Sequence, residues 1–137
     1  MQTYITEILG LQGLAKEVHW NAKGPGFIAV HKYLDEVDDS CAAFVDEIAE
    51  HMAADGRYGP PQFSVGQFET FPQYIVLTDA DTVRRGLSNL VTQLDRITNL
   101  LDNELANDSD DPAGEDILVR ALQEFNKHLW FLSSELG

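Results

Sequence analysis

A chain of 137 residues with 44% hydrophobic and 23% charged side chains suits one globular domain, and its longest apolar runs are too short to cross a bilayer. The formal net charge of −14 repels nucleic-acid phosphates and anionic lipid and attracts cations. The opening MQTYITEILGLQG lacks the basic start and continuous apolar run of a secretion signal, and the single cysteine, Cys41, has no intrachain partner, so the sequence reads as cytoplasmic.

Apolar residues recur at helical spacing four times along the chain. Ile5, Ile8, Leu11, Ala15 and Val18 predict a first helix, ended by NAKGPG, where Gly24, Pro25 and Gly26 cannot continue it. Phe27, Val30, Leu34, Val37, Cys41, Phe44, Ile48 and Met52 alternate steps of three and four, as in a bundle seam, until DGRYGPP stops them. Next comes PPQFSVGQFETFPQYIVLTDAD, long enough to cross the length of a bundle, with a short helix expected over Ser64 to Phe71. The third stripe, Val83, Leu87, Leu90, Leu94, Ile97, Leu101 and Leu105, follows Thr78 and Asp81 in an order like a capping box. The fourth, Leu118, Ala121, Leu122, Phe125, Leu129 and Leu132, is opened by Asp111 as cap with Pro112 at the first helical position. No internal repeat or linker interrupts the chain. Residues 1–137 are therefore expected to form one all-α domain, a four-helix bundle with a long crossover between the second and third helices.

The second helix carries the candidate chemistry. Asp35 and Asp46 are eleven positions apart, so they differ by about 20° in direction yet lie roughly 16 Å apart along the axis. Each has a partner four residues away: His31 with Asp35, and Asp46 with Glu50. These are two half-sites that cannot share an ion within one chain. Both 31 with 50 and 35 with 46 have their midpoint at the Ser40/Cys41 boundary. A two-fold axis through that point would set His31 and Asp35 of one chain beside Glu50 and Asp46 of its partner, completing two sites per dimer. The apolar seam is turned about 100° from the line through Asp35 and Asp46, so that line faces away from the helix's own core. His19, before the Gly-Pro turn, can fold back to add a second imidazole. Imidazole with carboxylate suits Fe(II) and Fe(III), with Zn(II) and Mn(II) as competitors. The competing reading is a solvated acidic face with His31 as a hydrogen-bonded helix residue.

HWNAKGPGFIAVHKYLDEVDDSCAAFVDEIAEH, from His19 to His51, closely resembles the signature of the Dps proteins, ferritin-like mini-ferritins also called DNA-binding proteins from starved cells. DILVRALQEFNKHLWF resembles their last helix, and the match runs from about Leu11 to the end. The resemblance implies a hollow homododecamer that oxidises Fe(II), commonly with hydrogen peroxide in preference to oxygen, and stores ferric mineral in its cavity. It also implies a site holding two iron ions at each two-fold interface. His19, His31 and Asp35 would come from one subunit, and Asp46 and Glu50 from the other. By the same resemblance, Asp35, Glu50 and His31 hold the tighter iron, while His19 and Asp46 help hold the weaker. Trp20 matches a tryptophan that intercepts radicals, with plain interface packing as the other reading. Asp110, Asp111, Glu115 and Asp116 fall where the family lines an iron-entry pore, although acids also favour a helix amino terminus for dipole reasons.

Departures from the family pattern bear on function. The lysine-rich amino-terminal tail of many members is missing from this sequence, and an acidic shell does not hold a duplex at physiological salt, so DNA compaction is the disfavoured alternative. His51 stands where the family commonly has arginine and reads as a surface histidine, with an extra metal ligand as the other option. His128 and Cys41 read as a hydrogen-bonded core histidine and a small buried packing residue. The paired Glu-x-x-His motifs of a single-chain di-iron oxygenase are absent.

Overall fold

Continuous three-and-four spacing of apolar side chains favours a helix with a buried stripe, and the computed structural model, which describes residues 1–63 and 82–137, shows a helix at each of the four stripes. Among those residues the elements are α1 (Gln2–Asn21), α2 (Phe27–Ala54), α3 (Thr82–Leu105) and α4 (Pro112–Leu136). The helix expected over Ser64 to Phe71 and the cap expected at Thr78 and Asp81 lie outside the described residues.

α1 packs on α2 and on α3, and α4 packs on α3 and on α2, the arrangement of a four-helix bundle. Along α2 all of Val30, Leu34, Val37, Cys41, Phe44, Ile48 and Met52 are buried, and Phe27 is partly covered against them. They meet Ile8, Leu11, Ala15 and Val18 from α1, Leu90, Leu94 and Ile97 from α3, and Phe125 and Leu132 from α4 in one core. Burial of Cys41 pushes its thiol pKa up, so it packs as a small apolar group rather than a nucleophile. No described helix is long and apolar enough to cross a membrane.

Two glycines set the approach of the helices. Gly26 ends the α1–α2 turn in the left-handed region at φ 79°, a conformation that side-chain-bearing residues resist. Gly86 is where α3 comes down onto α1: a Cβ there would lie 2.6 Å from Val18 Cγ1. Gly86→Ala is therefore expected to cost about 1–3 kcal/mol by overpacking. Urea denaturation should show the loss, and adding Val18→Ala to the same chain should recover part of it.

Candidate metal centre

The NAKGPG turn brings the last residues of α1 against the first turns of α2, and two histidines meet there. The rings of His19 and His31 stack with centroids 3.7 Å apart and planes 20° from parallel. Each is tied to the other's backbone: His19 Nδ1 donates to the His31 carbonyl at 2.8 Å, and His31 Nδ1 donates to the His19 carbonyl at 2.9 Å. A carbonyl oxygen can only accept, so both Nδ1 atoms carry hydrogen, and in the neutral form of each ring the lone pair is on Nε2. That is the tautomer a metal needs, fixed by the partner that commonly orients ligating histidines.

Asp35 stands one turn further along α2, with its Oδ1 3.6 Å from His19 Nδ1 and its side chain 57% exposed. Lys16 reaches it from α1. The ammonium lies 3.3 Å from Asp35 Oδ1 and 2.8 Å from Asp38 Oδ2, and Gln12 also donates to Asp38 at 2.8 Å. Hydrogen bonding to Asp38 leads the causes that raise the Lys16 pKa, so the residue stays cationic. It supplies the positive charge beside His19 and Asp35, and an arriving cation competes with it. Lys16→Met is expected to tighten Zn(II) or Fe(II) binding about two- to five-fold, the worth of an exposed ion pair, as titration calorimetry would show.

Asp46 and Glu50 share the exposed face of α2 with Asp35 but are not brought to it. α2 runs unbroken from Phe27 to Ala54, so the 19 residues from His31 to Glu50 span roughly 28 Å. Within one chain His19 joins two of the other candidate ligands, stacking on His31 and lying 3.6 Å from Asp35, while Asp46 and Glu50 stand apart. Trp20, beside His19, is 73% exposed.

At the other end of α2 the structure corrects the reading of His51 as a surface histidine. Its side chain is only 13% exposed, and Nε2 donates to Asp111 Oδ2 at 2.7 Å. Tyr58 donates to the same oxygen at 2.5 Å, and Gly114 N donates to Asp111 Oδ1 at 3.0 Å. Asp111 is thus the expected cap of α4, with Pro112 behind it, but it is buried and its acceptors are engaged inside the chain. Of the other acids read as pore-lining, Asp110 and Asp116 are exposed and Glu115 is half-buried in the first turn of α4. Asp110 Oδ1 lies 3.4 Å from Arg57, and Asp116 is paired with Arg120 at 3.1 Å. His51, Asp55 and Asp111 place ligand-type atoms within 4.8 Å of one another, yet Asp55 Oδ1 accepts from Arg57 N and Nε, and Asp111 already has three donors. The group is a clasp between two helix ends. Its long-range partners left no periodic trace in the sequence.

His128, read as a core histidine, is fully buried and hydrogen-bonded at both ring nitrogens, to Tyr33 and Ser40.

Comparison with known proteins identifies the family. A family model described as a ferritin-like domain matches residues 5–137. The chain is 30% identical over 139 residues to a DNA protection during starvation protein of Agrobacterium fabrum, covering 96% of this chain and 82% of that one. It is 35% identical over 134 residues to the fine tangled pili major subunit of Haemophilus ducreyi, covering 93% and 69%. Among solved structures it superposes on Mycobacterium smegmatis Dps with a TM-score of 0.86 at 28% identity, over 98% of this chain and 82% of the other. A ferritin-like match over nearly the whole chain, a Dps relative at 30% identity and a shared bundle place this chain in the Dps family of ferritin-like proteins.

Proposed function

We propose that the chain is a mini-ferritin that oxidises Fe(II) with hydrogen peroxide at sites shared between two subunits and stores the ferric product inside a dodecameric shell. The observation that carries this reading is the reciprocal fixing of His19 and His31, which occupies both Nδ1 atoms and leaves Nε2 as the metal-binding nitrogen of each neutral ring, with an Asp35 carboxylate oxygen 3.6 Å from His19 Nδ1. Iron is the substrate here, held long enough to be oxidised and then passed on.

The exposed face of α2 supports the shared site. Positions that add to 81 pair across an axis at the Ser40/Cys41 boundary: His31 with Glu50, Asp35 with Asp46, Asp39 with Ala42, and Ile28 with Ala53. Asp35, Asp46, Glu50, Asp39, Ala42, Ala53 and Ile28 are all exposed in the single chain. The small side chains Ala42 and Ala53 allow two antiparallel copies to approach closely, and Ile28 gains an apolar neighbour. In that pairing Glu50 and Asp46 of one subunit complete the ligand set of the other, giving room for two iron ions. Carboxylates favour the more highly charged product, which pulls the reaction toward Fe(III).

Asp110, Glu115 and Asp116 provide negative charge at the amino end of α4, where entering Fe(II) would be concentrated. Asp111 serves that end by holding it in place. Trp20 beside the site is positioned to give up an electron to a stray oxidant. The net charge of −14 opposes duplex DNA binding.

The test is a stopped-flow assay of Fe(II) with hydrogen peroxide. The natural chain should consume two Fe(II) per peroxide with growth of ferric absorbance, and the double substitution of His19 and His31 by alanine should abolish the fast phase. A fast phase that survives it would refute the assignment.

A further inference from the structure

A partly buried polar chain centred on His128 links α2 to α4. Tyr33 Oη donates to His128 Nδ1 at 2.6 Å, His128 Nε2 donates to Ser40 Oγ at 2.9 Å, and Ser40 Oγ donates to the Glu36 carbonyl at 2.9 Å. Glu124 Oε1 lies 3.5 Å from His128 Nε2 and within 3.3 Å of Ser40 Oγ, and is itself paired with Lys127 at 2.6 Å. His128 is fully buried, and the ring of Phe131 packs on the Tyr33 phenol with centroids 5.4 Å apart. A core of Leu or Phe would stabilise the bundle without these groups, since buried polar atoms must be matched one by one.

Two features make the pair more than a satisfied core contact. Burial, outweighing Glu124, lowers the His128 pKa to about 4, so the imidazole is neutral at physiological pH and offers Nδ1 as a proton acceptor. The short hydrogen bond is the second feature: at 2.6 Å the Tyr33 hydroxyl already directs its proton at His128 Nδ1. Removing one electron from a phenol makes it a strong acid, and here the acceptor is already in place.

We propose that Tyr33 and His128 form a redox pair: Tyr33 gives up one electron to an oxidant arising at the iron site while its proton crosses the hydrogen bond to His128. This rests on the iron-oxidising reading for its oxidant. Tyr33 lies two residues from both His31 and Asp35, hence about 200° around α2 from each, across a helix body of about 10 Å that an electron can tunnel through. When peroxide meets a single Fe(II), one electron cleaves the O–O bond to give hydroxide, Fe(III) and hydroxyl radical. The electron from Tyr33 converts that radical to a second hydroxide. The O–H bond of Tyr33 breaks, a new N–H bond forms at His128 Nδ1, and Glu124 faces the resulting imidazolium. A second Fe(II) then supplies an electron to the tyrosyl radical, which recovers its proton from His128. The sum is two Fe(II) oxidised per peroxide with no radical released, and Phe131 shields the phenoxyl meanwhile.

The experiment has two arms read by electron paramagnetic resonance. In the first, Fe(II)-loaded protein is freeze-quenched after hydrogen peroxide. In the second, iron-free protein is flash-oxidised with photoexcited ruthenium tris-bipyridine and persulfate. Both should give a neutral tyrosyl signal, collapsed in width by ring-deuterated tyrosine, lost in Tyr33→Phe, and shifted in g-value in His128→Gln because the hydrogen bond to the phenoxyl changes. Tyr33→Phe removes one oxygen from a ring that stays packed, so its folding is checked simply by circular dichroism. Ferric absorbance without a Tyr33 signal overturns the proposal while sparing the iron chemistry. A tyrosyl signal undiminished in Tyr33→Phe also overturns it. No ferric absorbance counts against the iron reading and the link to it, and the flash arm alone then decides whether the pair is redox-active.

Discussion

Mixing two inactive variants is expected to restore Fe(II) oxidation. Asp35→Ala removes a carboxylate from the His19–His31 group, and Glu50→Ala removes one from the far end of α2, so a preparation of either alone should lose the fast peroxide-dependent phase. Chains of both kinds, dissociated together and reassembled, would pair at random across the two-fold axis. Half the interfaces then hold one chain of each kind, and each of these has one doubly damaged site and one in which Asp35 and Glu50 are both intact. Recovery to about a quarter of the natural rate follows from that symmetry. A site built within one chain gives no recovery on mixing, so the result separates shared from private ligands without a ligand-bound structure.

The second large effect is structural. Asp111→Ala should destabilise the chain by roughly 3 kcal/mol: about 1 for the lost cap of α4 and about 1 each for His51 and Tyr58, left without their acceptor. The melting temperature should fall by about 10 °C. Asp111→Asn, which keeps an oxygen for capping, should recover part of the loss. Burial by itself would raise the Asp111 pKa, but hydrogen bonds from Tyr58, Gly114 and His51 outweigh it and bring it down to about 2. A carboxylate depressed in the folded state contributes stability that is complete above its ordinary pKa near 4 and disappears as pH falls toward 2. Acid titration by circular dichroism should therefore show α4 loosening in that window, and a smaller pH response in Asp111→Ala.

Sequence periodicity reports which face of a helix is buried, and on that question it was sufficient. Seven of the eight stripe positions on α2 are buried, and Asp111 with Pro112 marks the true start of α4. The meeting of His19 with His31 was legible because a short Gly-Pro turn joins the two helices and lets the end of α1 fold back on the start of α2. What periodicity does not carry is pairing between elements far apart in the chain. His51 meets Asp111 across 60 residues, and Tyr33 meets His128 across 95. The His51 misreading has that origin: its position on α2 is peripheral, and it is covered by the Tyr58 segment and the start of α4. Lys16 escaped notice likewise, since its helix position gives no sign that its ammonium bridges Asp35 and Asp38.

Under the proposed function, the crossed histidine-to-carbonyl bonds at the α1–α2 turn would give each lone chain part of a binding site already in working order. An ion captured there would lack donors until a neighbour supplied them, so by mass action rising metal supply should draw separate subunits together. The cell's iron level would then govern how much shell exists as well as how full it is.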